Sequence, residues 1–403
     1  MTMTYTPPAG DSPSERTPAT APDPARNGAP DTAPHDARDT APDPPPTSGY
    51  AFLLLPSHNR VYAATAPRLA RAELLATSEA VLGGRIRAVA ETRLGGVPYL
   101  TFQAPGLTDE DLRYLGNLSS LYALFQVGAD GRLAPVTAPG IDRFGSELIT
   151  IQKYPGKTNE EFTKLLLNLT ALACAEPHRL LAGELRVFDP LCGRGTTLNQ
   201  AVMYGLDAAG VEWDTRSFEA YENFLRHWLK SSRLKHRAET TTVRRNRRAL
   251  GRRLDVTLGA TREEYKRGER IEVSMVNADT TASGDFFRPG SFDLIVTDAP
   301  YGVQHGSTAH GPAGAGRTRS PMPLLEAALP VWTRLLRPGG AIGISWNTHV
   351  ASRDELTGLL TRAGFAVRDS EPYLDLAHRV DQAIVRDLVV ASAPGPAGAP
   401  AAS

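Results

Sequence analysis

Cysteine is nearly absent from this chain: Cys174 and Cys192 are the only two in 403 residues. That excludes a disulfide framework and a cysteine-rich zinc site, and a reducing, cytoplasmic setting is expected. Long apolar runs are also missing, since none approaches the roughly 20 residues needed to cross a bilayer. Residues 1–10 lack the basic and apolar regions of a signal peptide. Nor is there net charge: Lys+Arg and Asp+Glu both number 44, so the chain as a whole carries no electrostatic mark of a nucleic-acid binder. His305 and His310 lack partners for a metal site, and no metal is expected.

What is present is enough apolar material for a full core, 41% of the residues, and an uneven distribution of charge. Residues 1–49 are rich in Pro, Ala, Asp and Thr, with too few large apolar side chains to offset the entropy of ordering. They are expected to be a disordered acidic tail, and residues 392–403 a second tail. Arg244, Arg245, Arg247, Arg248, Arg252 and Arg253 concentrate positive charge instead. Such a stretch could neutralise phosphates or simply be a solvated helix face.

Residues 50–144 read as a small α+β unit. A strand at 51–55 precedes a helix at 67–81, strands at 86–94 and 97–102 flank the two-residue turn Gly95-Gly96, and a helix at 109–115 leads to a strand at 121–127. The order β-α-β-β-α-β is ferredoxin-like, an arrangement that hosts many functions. Residues 145–391 then alternate helices and strands. Thr158 and Glu161 have the spacing of a capping box opening a helix through 173. Strands are expected at 185–188, 208–211, 271–277, 292–296, 341–345, 364–368 and 383–390, giving a seven-stranded, doubly wound, Rossmann-like α/β sheet.

Two motifs stand at strand ends. Residues 189–197 read Asp-Pro-Leu-Cys-Gly-Arg-Gly-Thr-Thr, a strand ending in a carboxylate and a glycine turn that opens a helix. Gly193 and Gly195 let backbone approach a nucleoside, but the third glycine of the dinucleotide fingerprint is replaced by Leu198. Asp189 would repel a pyrophosphate and suits a cationic or hydroxyl-bearing ligand. S-adenosylmethionine offers an ammonium, a sulfonium and a ribose. Glu212 is placed to meet the ribose hydroxyls, and Asp279 to accept from the adenine amine. The second motif, residues 296–302, reads Val-Thr-Asp-Ala-Pro-Tyr-Gly. A nucleobase amine is a poor nucleophile because its lone pair is delocalised; the Asp298 carboxylate and the Ala299 carbonyl can hold its hydrogens, while Tyr301 stacks on a base extruded from its helix.

These segments resemble those of the RNA methylase family of Rossmann-fold S-adenosylmethionine-dependent methyltransferases, which contains the tRNA guanosine-N2 methyltransferases. Its members carry Asp-Pro-x-Cys-Gly-x-Gly-Thr and Asp-Pro-Pro-Tyr-Gly. The resemblance covers about residues 145–390. It implies a cofactor site at Thr158, Asp189, Pro190, Cys192, Gly193, Gly195, Thr196, Thr197, Glu212 and Asp279, and a catalytic turn at Asp298, Ala299, Pro300 and Tyr301. It also implies methylation of an exocyclic amine, guanosine N2, in an RNA partner, tRNA. Ala299 departs from the pattern, standing where the family has proline, and residues 50–140 are too few for both a ferredoxin-like unit and a THUMP domain. DNA adenine or cytosine amino methylation and protein glutamine methylation use related turns, and a non-catalytic RNA-binding protein could retain the cofactor fold. Residues 302–320, rich in Gly, Ala and His, read as a lid after the catalytic turn.

Overall fold

The computed structural model describes residues 47–57, 60–299 and 320–394. The described residues fall in one compact unit. Pro300, Tyr301, the expected lid and most of both expected tails lie outside the described residues.

The first sheet is antiparallel and is built from β1 (Ser48–Leu54), β2 (Arg87–Leu94), β3 (Val97–Ala104), β4 (Leu121–Val127) and β5 (Leu133–Val136), in the order β2-β3-β1-β4-β5. Gly95 and Gly96 adopt φ of +58° and +84°, closing Leu94 on Val97 as the hairpin signal requires. Helices α1 (Arg60–Val81) and α2 (Asp109–Gly116) pack on this sheet. The fifth strand was not expected. Neither was the early start of α1: Pro67 sits inside the helix rather than at its first position, because Tyr62 and Ala66 are buried and anchor about two more turns.

The remaining helices are α3 (Glu147–Thr150), α4 (Glu160–Leu172), α5 (Arg179–Ala182), α6 (Thr196–Met203), α7 (Thr215–Ser231), α8 (Arg262–Arg267), α9 (Met322–Leu335), α10 (Arg353–Arg362) and α11 (Glu371–Leu374). They surround a sheet of ten strands rather than seven: β6 (Arg186–Asp189), β7 (Asp207–Glu212), β8 (His236–Arg245), β9 (Arg248–Leu258), β10 (Ile271–Asn277), β11 (Phe292–Asp298), β12 (Leu336–Asn347), β13 (Ala366–Val367), β14 (His378–Arg379) and β15 (Val385–Ser392). Its order is β13-β15-β12-β11-β6-β7-β10-β9-β8, with β14 beside β15. The central strands β10, β7, β6, β11 and β12 are mutually parallel, and β15 runs against β12. Apolar runs such as Leu294 to Val296 are buried on both faces, as a helix-covered parallel sheet demands.

The basic stretch is not a helix face. It forms the hairpin β8–β9, joined by Asn246-Arg247 with φ of +50° and +65°, a two-residue turn made without glycine. The expected tail boundary also moves, because Ser392 closes β15 and the Pro394 carbonyl accepts from Gly339 N–H at 2.9 Å.

One apolar cluster runs from Phe52, Leu69 and Leu100 through Leu166 and Leu169 to Val187 and Leu294, so the two sheets share a core. A buried polar knot crosses the same region. Glu73 of α1, fully buried, accepts from Ser119 N–H at 2.9 Å, Ser119 Oγ at 2.6 Å and Asn168 Nδ2 at 2.7 Å, and Tyr204 Oη donates to Asn168 Oδ1 at 2.8 Å. Burial raises the Glu73 carboxyl above its ordinary value.

Candidate active site

Ligands of open α/β sheets lie over the carboxyl ends of the parallel strands. Three expected acidic residues close strands there, Asp189 on β6, Glu212 on β7 and Asp298 on β11, while Asp279 follows β10 by two residues.

Asp189 is 3% exposed. Its Oδ1 accepts from Thr297 Oγ1 at 2.8 Å and from Leu191 N–H at 3.1 Å. Thr197 supplies a further side-chain hydrogen bond. Burial, reinforced by the nearby Asp298 charge, pushes the Asp189 carboxyl up to about 7 despite these donors. The two glycines of the turn differ in kind. A Cβ on Gly195, at φ +78°, would stand 2.3 Å from Cε2 of Tyr221, so this glycine permits helix–sheet packing. A Cβ on Gly193, at φ +52°, would meet nothing within 4 Å. The rim is therefore open above Gly193, where a ligand can lie against bare backbone.

The other turn residues support this cradle. Cys192 is buried, donates its N–H to the Val211 carbonyl at 3.0 Å, and packs its sulfur against Gly210, whose missing Cβ leaves the room. Pro190 is buried beside it. Thr196 begins α6 and its Oγ1 lies 3.1 Å from Tyr154 Oη, on whose ring the Arg194 guanidinium rests at 4.7 Å.

Glu212 is tied down by two backbone donors, Gly193 N–H to Oε2 at 2.9 Å and Asp214 N–H to Oε1 at 2.6 Å. Burial raises its carboxyl from the ordinary value. Asp279 caps a 3-10 turn, its Oδ1 accepting from Thr281 N–H at 2.8 Å and Thr281 Oγ1 at 2.7 Å. Beside them opens a cleft of about 580 Å³ bounded by Trp213, Asp214, Leu250, Asp279 and Phe286. Trp213 is 52% exposed there, and sequence reasoning missed it. The signal was available: a large aromatic directly after the acidic end of the second parallel strand.

Asp298 is gripped from three elements. Thr158 Oγ1 donates to Oδ2 at 2.6 Å, Ser345 Oγ of β12 donates to Oδ1, and the Arg386 guanidinium of β15 stands 3.5 Å from Oδ2. Thr158 is thus not a helix cap. Asn159 takes that place, its side chain accepting from Phe162 N–H at 3.0 Å, because the Thr158 hydroxyl is committed to a charged acceptor. Ala299 donates its N–H to the Ser345 carbonyl at 2.8 Å, a bond that proline could not make. Past Asp298 lies a second cavity of about 260 Å³, lined by Tyr62, Lys157, Thr158, Glu161, His378 and Arg386. The His378 ring shares its Nδ1 with the Leu376 carbonyl at 3.0 Å, and burial lowers its pKa to about 4, so it is neutral. Neither Ser345, Arg386 nor His378 was foreseen, since each arrives from far along the chain. Among the described residues no His, Cys, Asp or Glu group could hold a metal, and no helix is long and apolar enough to cross a membrane.

A glycine turn over buried strand-end carboxylates, on a parallel sheet with one reversed strand, belongs to the methyltransferase class. Residues 178–312 match the family model described as RMKL-like, methyltransferase domain, a domain whose cofactor is S-adenosylmethionine. The match spans both the glycine turn and the Asp298 turn. No curated protein matches the chain. Among solved structures it is similar to the 1,6-didemethyltoxoflavin-N1-methyltransferase of Burkholderia thailandensis, with bound 1,6-didemethyltoxoflavin and S-adenosylhomocysteine (14% identity, 54% of this chain and 74% of that one, TM-score 0.31). It is also similar to a TehB-like SAM-dependent methyltransferase of Corynebacterium glutamicum (16% identity, 54% and 86%, TM-score 0.29). A third is the fibrillarin pre-rRNA processing protein of Methanococcus jannaschii (10% identity, 53% and 68%, TM-score 0.29).

Proposed function

We propose that this methyltransferase modifies an exocyclic nucleobase amine in RNA, guanosine N2 of tRNA, and that residues 50–144 form a ferredoxin-like unit beside its catalytic sheet. The observation that carries the reading is the Asp298 carboxylate, fixed by Thr158, Ser345 and Arg386 at the rim beside the open Gly193 backbone.

The open space above Gly193 and the cleft beside Trp213 fit a nucleoside-bearing cofactor. Gly193, Glu212, Trp213 and Asp279 would hold its nucleoside part, and Asp189 would face its ammonium end. When bound, S-adenosylmethionine supplies an electrophilic methyl group. The chain's own task is the acceptor. Asp298 and the Ala299 carbonyl take hydrogen bonds from the two amine hydrogens, drawing the nitrogen toward a pyramidal form whose lone pair is localised. The donors on Asp298 keep this carboxylate in one orientation, so little reorganisation accompanies reaction. The base occupies the cavity beyond Asp298, against Arg386 and the neutral His378.

Labelled cofactor incubated separately with bulk tRNA, rRNA and DNA, followed by nucleoside identification, tests this reading. N2-methylguanosine in tRNA is expected. Label in DNA alone, or in no nucleic acid, overturns it.

A further inference from the structure

The hairpin β8–β9 is more than an added edge. Pairing of β9 with β10 places Arg252 opposite Asn277, the last residue of β10, so Arg248 to Gly251 and the turn run on past the strand's carboxyl end. At about 3.3 Å per residue the overhang reaches about 13 Å, over the rim that holds the glycine turn and Asp298. Gly251 is needed at the crossing point, where a Cβ would stand 2.5 Å from the Asn277 carbonyl oxygen.

Two contacts fix the overhang above the cofactor cleft. Leu250 lines that cleft, and Arg245 Nη1 pairs at 2.7 Å with Asp285, on its far side. The arginines then divide into two sets. Arg245, Arg252 and Arg253 are consumed internally, by Asp285, by Glu219 and Glu222, and by Asp255. Arg244, Arg247 and Arg248 are exposed, and among the described residues their side chains make no hydrogen bond or ion pair, unlike those of the first set. Three exposed cations held out on a two-stranded arm serve no packing within the fold and are disposed for an anionic polymer. The arm and Asp298 share one rim. β9 and β11 are separated by four strand spacings, about 19 Å, a span covered by a few nucleotides of a strand whose base has entered at Asp298.

We propose that the β8–β9 hairpin is a backbone-gripping arm for the acceptor RNA, with Arg244, Arg247 and Arg248 on phosphates a few nucleotides from the methylated base. This rests on the RNA reading above. The test is the full chain with Arg244, Arg247 and Arg248 all changed to Gln, compared with the unaltered chain for binding of bulk tRNA across a salt series, with cofactor affinity measured in parallel. The triple variant should bind tRNA at least about tenfold more weakly at low salt, and its log–log salt slope should shrink by about 2, as expected for three lost phosphate contacts. Its cofactor affinity should be unchanged. An Arg252→Gln variant, which touches only the internal set, should keep the full slope. Equal affinity and slope in the folded triple variant would overturn the arm while leaving the RNA reading intact. Failure of the unaltered chain to bind or methylate any RNA would overturn both.

Discussion

Arg386 holds its guanidinium 3.5 Å from Oδ2 of Asp298 and lies over the ring of Phe162 at 4.4 Å. Arg386 is 3% exposed. A cation so deeply placed on the reversed strand, against a carboxylate at the end of a parallel one, links the chemistry of β11 to the packing of β15. Arg386→Met should therefore strand a shielded carboxylate and cost about 3 kcal/mol of stability. Adding Asp298→Asn should return part of that stability and none of the turnover. Thermal unfolding and single-turnover methylation on the four proteins of the cycle separate the two effects.

Asp189 gives a pH dependence with a definite sign. Its pKa in the fold is about 7, above the ordinary 3.8, so the folded state favours the proton. Its favourable contribution is complete below the unfolded pKa and is lost as pH rises toward 7. Thr297 Oγ1 and the Leu191 N–H both donate to Oδ1, so an Asn carbonyl oxygen can take its place. Relative to the natural chain, Asp189→Asn should gain stability between pH 4 and 8, on the order of 4 kcal/mol over the full interval. Denaturation at several pH values reads this directly, and equal pH slopes in both proteins would sink it. Where Asp189 faces the cofactor's ammonium group, cofactor affinity should also fall below pH 7 in the natural chain and not in the variant.

The two turn glycines should fail differently. Gly195→Ala drives a methyl into Tyr221 and should lower thermal stability markedly. Gly193→Ala meets open space, so only the left-handed backbone costs, about 1–2 kcal/mol, while calorimetry should show cofactor affinity greatly reduced. A folded Gly193→Ala protein with undiminished affinity would place the cofactor elsewhere.

Glu73→Ala should leave the Ser119 N–H and the Asn168 amide short of acceptors in a dry site. A loss of about 2–4 kcal/mol is expected by chemical denaturation. Both sheets should melt in one transition, since the knot joins α1 to α4.

The parallel strands were legible because they are buried on both faces and carry apolar runs, as from Leu294 to Val296. The glycine turn and Asp298 were legible because chemistry at strand ends is local in sequence. The hairpin was not: Arg244 to Arg248 has neither glycine nor apolar alternation, and its turn conformation falls on Asn246 and Arg247. The grip on Asp298 was hidden for another reason. Thr158, Ser345 and Arg386 lie on three separate elements, so only the sheet order brings them together. Thr158 and Glu161 showed a genuine capping spacing, and the neighbouring Asn159 won because Asp298 drew the threonine away.

The ten-stranded sheet is open at both ends, and each end resists self-association by different means. At one edge β13 is only two residues long, Ala366–Val367, too short to template another strand. At the other, β8 spans ten residues and would be a hazard were it not studded with Arg237 and Glu239, exposed and paired at 2.8 Å. Replacing both by valine would turn that edge into a flat apolar ribbon, and the protein should then pair edge to edge and precipitate. Solubility of the whole molecule therefore depends on the outer strand of the same hairpin that overhangs the catalytic rim.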